Sequence, residues 1–65
     1  AAAERVRSPG EAVEMGIGFE KDAIVFFEGL SGFLAPDQRA VVERLIREEK
    51  GHLVQLSRLR ESLEK

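Results

Sequence analysis

The sequence predicts an all-α protein built as one long antiparallel helical hairpin, and three observations lead to that expectation. Apolar residues recur at gaps of three and four along two stretches, which is the period of a helix face that packs against another helix. A single break, Ala35-Pro36-Asp37, separates the two stretches. Nowhere does the strict apolar–polar alternation of a half-buried strand appear.

Residues 1–7 carry no sustained apolar period and are expected to form a tail, so the domain is read as 8–65, with helices over about 9–33 and 36–63. Ser8-Pro9-Gly10-Glu11 reads as a helix start. Serine can accept a hydrogen bond from the orphan amides of the first turn, proline suits the first helical position, and Glu11 stands three residues after Ser8 as in a capping box. Val13, Gly16, Glu20, Ala23, Phe27, Leu30 and Leu34 then mark a seam, with the carboxylate of Glu20 inside it. Phe19, Phe26 and Phe33 form a second stripe, with Ile17, Ile24 and Val25 between, so this helix needs more cover than one neighbour provides.

Glycines at 16, 18, 29 and 32 each disfavour a helix interior by about 0.5–1 kcal/mol relative to alanine. Gly16 and Gly18 are therefore expected where a backbone or ligand comes close, with Gly16, one turn before Glu20, leaving room beside a metal; Gly32 is expected near the C-cap. Pro36 disfavours helix at Ala35 but suits the first turn of a new one, where Asp37 complements the helix dipole. The second seam runs Gln38, Val42, Leu45, Glu49, His52, Leu56, Leu59 and Leu63. A carboxylate and an imidazole thus stand in a stripe built to be buried, where an unpartnered charge costs several kcal/mol.

Composition bounds the function. Sixty-five residues form at most one small domain, whose core is marginal without disulfides, a metal or a partner subunit. There is no cysteine, which excludes disulfides, a rubredoxin or iron–sulfur centre, a cysteine zinc site and a thiol nucleophile within this chain. A formal charge of −2 with mixed signs is no nucleic-acid footprint. The longest apolar run, Ala23 to Phe27, is too short to span a bilayer, and AAAERVRSP has no signal-peptide core. The expectation is a soluble, cytoplasmic protein. A first residue other than methionine leads us to expect a processed or truncated chain, or a tag remnant.

Folded about residue 35, the hairpin brings Glu20 level with Glu49, each about 21 Å from the turn at 1.5 Å per residue. Glu49 and His52, spaced i, i+3, are neighbours on one helix face, and Glu20 reaches them from the other helix. Two carboxylates and one imidazole are too few to close a site around a hard, octahedral ion. A two-fold dimer doubles them to four carboxylates and two histidines, and it also covers the wide apolar surface of the first helix in a four-helix bundle.

These residues carry a resemblance. Glu20-Lys21-Asp22-Ala23-Ile24-Val25-Phe26-Phe27 and Glu48-Glu49-Lys50-Gly51-His52-Leu53 resemble the Glu-x-x-Ala-x-x-x-Tyr and Glu-Glu-x-x-His-Leu motifs of rubrerythrin-type ferritin-like domains, and Ser8 to Leu63 is similar to half of such a domain. The resemblance implies a ferritin-like four-helix bundle made by a homodimer, as in the two-helix encapsulated ferritins. It also implies a di-iron site in which Glu20 bridges, Glu49 bridges or binds terminally and His52 is a terminal nitrogen ligand, with two irons per dimer. The implied chemistry is Fe(II) oxidation or peroxide reduction, with dioxygen or peroxide as substrate and a separate electron donor. Phe27 stands where the family often has tyrosine, so that hydroxyl's roles are absent. No C-terminal targeting tail is evident after Lys65, which speaks against an encapsulated-cargo role.

Hard carboxylate donors favour iron or manganese over zinc, which is a weaker candidate. The alternative reading is a metal-free helical dimerisation or adaptor module. In that reading Glu20, Glu49 and His52 form a hydrogen-bonded cluster, the phenylalanines are packing, and Glu14, Glu43, Glu48, Arg44, Arg47, Arg58 and Arg60 make solvated, mutually paired faces.

Overall fold

The computed structural model describes residues 8–64, so the expected tail over 1–7 lies outside the described residues. Two helices, α1 (Pro9–Ser31) and α2 (Pro36–Leu63), pack along their length as a hairpin. No strand occurs among the described residues. The hairpin measures 44 × 26 × 11 Å, so its thinnest dimension is about that of one helix with its side chains.

Each helix begins as its sequence dictates. Ser8 is extended at the N-cap of α1, and its Oγ accepts from the Glu11 amide at 3.1 Å, with Pro9 in the first turn. At the start of α2 the N-cap is Ala35, which offers no side-chain acceptor. Gln38 Oε1 instead reaches back to accept from the Ala35 amide at 3.1 Å, the reciprocal half of a capping box.

Helix α1 ends at Ser31, two residues before the expected end, and Gly32 is its C-cap in right-handed helical conformation. No residue in the chain's described part takes positive φ, so the turn does not depend on glycine's freedom there. What holds the turn is Arg39. Its guanidinium donates to the carbonyls of Ser31 and Leu34, both at 3.2 Å, and so satisfies acceptors freed by the end of α1.

The core is thin. Among the described residues only Val13, Ile17, Ile24 and Val42 are buried. The predicted seam of α1 faces α2, but Ile17 and Ile24, expected as infill between the phenylalanines, are buried with its seam residue Val13, and Ile17 is the deepest of the three. In α2 Gln38 is exposed in the first turn, and the seam departs from the expected heptad in its second half: Leu53, Leu56, Ser57 and Arg60 are half-buried, whereas His52, Leu59 and Leu63 are exposed. The cause is helical period. A straight helix turns once per 3.6 residues, so a seven-residue repeat drifts about 20° per heptad relative to a fixed partner unless the pair supercoils.

The second stripe is left uncovered. Phe19 and Phe26 are each 63% exposed and Phe33 89%. Phe26 and Phe27 meet edge to face with ring centroids 5.7 Å apart. Glycine placement follows the same division. A methyl group at Gly16 would touch Leu56 Cδ1 at 3.5 Å, so Gly16 lets a leucine of α2 close against α1 rather than leaving space beside a metal. Gly18, Gly29 and Gly51 face open space and permit no close approach.

Candidate metal centre

Glu20 projects from the middle of α1, and Glu49 and His52 project from the middle of α2, where the i, i+3 spacing stacks them on one side. One ligand atom from each lies within 4.8 Å of the others. The sequence-predicted trio is thus brought together within a single chain. Depth differs among the three: Glu20 and Glu49 are half-buried in the seam, while His52 lies at its edge with 55% of its side chain exposed.

The contacts of the cluster are incomplete. His52 Nδ1 and Glu20 Oε1 are 3.9 Å apart, too far for a hydrogen bond and worth little as an ion pair given the exposure of the imidazole. Glu20 Oε2 is shielded from solvent and has no hydrogen-bond partner. A shielded carboxylate oxygen with nothing to accept from is costly, on the order of 1–3 kcal/mol, and such atoms are normally satisfied. A cation at the cluster would satisfy it.

The donor set fits that cation. Two carboxylates and an imidazole supply hard oxygen and borderline nitrogen donors, the mixture used for first-row divalent ions. At about 2.0–2.2 Å from an ion, three ligand atoms can stand no more than about 3.8 Å from one another, so a trio within 4.8 Å needs to close by about 1 Å. Glutamate's three side-chain torsions absorb such a change. Three protein ligands leave further positions on an octahedral ion open.

Away from the cluster, Arg60 Nη1 donates to Glu14 Oε1 at 2.9 Å, a cross-helix pair that joins the start of α1 to the end of α2. The hydrogen bond to Glu14, and then its charge, hold the Arg60 guanidinium above its ordinary pKa, so the arginine end of this pair does not titrate in the working range. Glu14 is thereby occupied by an arginine two turns from Glu20. Sequence reasoning placed both residues on solvated faces without naming them as partners, and it missed Arg39 altogether. A basic residue in the first turn of the helix that follows a break was the available signal for Arg39.

No helix among the described residues is long and apolar enough to cross a membrane. Compared with known proteins, the chain matches no family model, no curated protein and no solved structure.

Proposed function

We propose that this chain is a non-haem metal protein in which Glu20, Glu49 and His52 hold iron or manganese. In this reading two hairpins pair to form a dinuclear carboxylate centre that oxidises Fe(II) or reduces peroxide. The observation that carries the reading is the convergence of three ligand-type side chains, one of which, Glu20, has a shielded oxygen without a hydrogen-bond partner. Redox chemistry would be supplied by the bound metal, whose oxidised state is favoured by anionic oxygen donors.

The remaining tasks belong to the chain. Glu20 and Glu49 bring negative charge to a partly dry seam, where reduced screening strengthens its hold on a cation. His52 contributes a neutral donor from the solvent edge, leaving a route for a small substrate between the seam and bulk water. Pairing is supported by Phe19 and Phe26 on α1, Phe33 in the turn, and Val41, Leu59 and Leu63 on α2, large apolar side chains that the hairpin leaves in water. With no cysteine to build an electron-transfer centre, the reductant for peroxide turnover would be a separate donor.

The exposed phenylalanines also favour a second reading, a metal-free helical dimerisation or adaptor module, since self-association alone would cover them. Elemental analysis after anaerobic Fe(II) addition, with molar mass on the same samples, separates the two. About one iron per chain in a dimer or larger assembly, lost in Glu49→Ala, supports the metal reading. An iron-free assembly with the same mass in wild type and variant leaves the interaction module.

A further inference from the structure

The proposed centre raises the question of what one hairpin can do before it meets another, and the geometry points to an answer. We infer that a single unpaired hairpin captures one divalent cation with Glu20, Glu49 and His52, so that each half of the centre is loaded independently of pairing. The inference rests on the metal reading above and deepens it by placing ion capture within one chain.

Three features carry it. First, all three ligand atoms within 4.8 Å of one another belong to the same chain, and both helices contribute. Second, the register is fixed by elements remote from any partner. The Arg39 contacts hold the turn at one end of the hairpin, and the Glu14–Arg60 pair joins the helices at the other. Glu20 and Glu49 are therefore held opposite each other by the hairpin itself. Third, Glu20 Oε2 lacks a partner within the hairpin although it is shielded from water there. Its need for a positive neighbour arises in the single chain, before a second copy adds two more carboxylates.

The exposure of His52 sets the route. A hydrated cation can meet the imidazole at the open edge and pass to the two carboxylates, shedding water as each replaces one. Pairing of empty hairpins would bring four carboxylates together with no counter-charge, whereas loaded hairpins meet with that charge balanced. Loading before pairing is the electrostatically favoured order.

Titration with Mn(II), followed by calorimetry and by the loss of free-Mn(II) electron paramagnetic resonance signal, tests the inference on a hairpin shown to be a single chain by molar mass. Two routes give that sample: wild type at dilution, and Phe19→Glu/Phe26→Glu, whose substitutions lie on the exposed stripe. The expected result is a plateau of about one Mn(II) per chain in the single-chain sample, abolished by adding Glu20→Gln. A single-chain sample that binds no Mn(II) while concentrated wild type takes up one per chain would overturn independent loading and leave the shared centre standing. Absence of uptake in both would instead sink the metal reading itself.

Discussion

Replacing Glu20 with leucine should stabilise the metal-free hairpin. In the native chain Glu20 Oε2 is shielded and unpartnered, while Oε1 has only a 3.9 Å approach to a half-exposed imidazole. An unsatisfied buried acceptor costs about 1–3 kcal/mol, and because the Glu20 side chain retains 22% of its exposure the lower end applies. The lost ion pair offsets little of this. Leucine also places apolar surface in a seam between Ile17 and Ile24. The net expectation is about 1 kcal/mol of added stability, which in a domain of this size raises Tm by about 4–8 °C. The assay is thermal unfolding by circular dichroism in the presence of a chelator. The same samples with Mn(II) should reverse the ranking. Ligand at 100 times its Kd stabilises a native site by about 2.7 kcal/mol, available to wild type and lost in the variant. A chelated Glu20→Leu protein less stable than wild type would refute the reasoning, because it would show that the carboxylate is satisfied by the hairpin alone.

Other expectations follow from the same structure. Phe26→Asp should lower the molar mass of any assembly toward one chain while leaving helix content unchanged, because the ring is largely exposed in the single hairpin; sedimentation velocity with circular dichroism checks both. Arg39→Ala removes two hydrogen bonds at the turn and should cost about 0.5–1.5 kcal/mol in urea unfolding, without changing metal stoichiometry. Gly18→Ala and Gly51→Ala add a methyl group into open space on a helix and should each stabilise by about 0.5–1 kcal/mol, with Gly51→Ala keeping metal binding although it neighbours His52.

The hairpin was legible in the sequence because its signals are local. Ser8-Pro9 and Ala35-Pro36 mark helix starts through side-chain capping and fixed φ, and these act within a few residues of the chain. The facing of Glu20 and Glu49 was also legible, since a short turn between two straight helices sets register by counting residues. Deeper into α2 the counting failed. Leu59 and Leu63 were expected in the seam but are exposed, and His52 moved to its edge, because an assumed heptad overstates how far a straight helix keeps one face toward its neighbour.

Gly16 shows a different limit. Its proximity to Glu20 along the helix suggested space beside a metal, but only the structure reveals that Leu56 fills that space. Contacts between long side chains, such as Arg39 with the turn carbonyls and Arg60 with Glu14, depend on rotamers and on the opposite helix. Periodicity does not encode them. The phenylalanine stripe lies between these cases: its spacing was plain, while its exposure could be learned only from how little two helices cover.

The most direct measurement is anomalous X-ray scattering from crystals grown with Mn(II). The metal reading predicts an anomalous peak within coordination distance of Glu20, Glu49 and His52, with the Glu20 Oε2 atom now facing the ion. Well-ordered crystals in which these three side chains show no anomalous peak, at Mn(II) concentrations that saturate any uptake in solution, would contradict it.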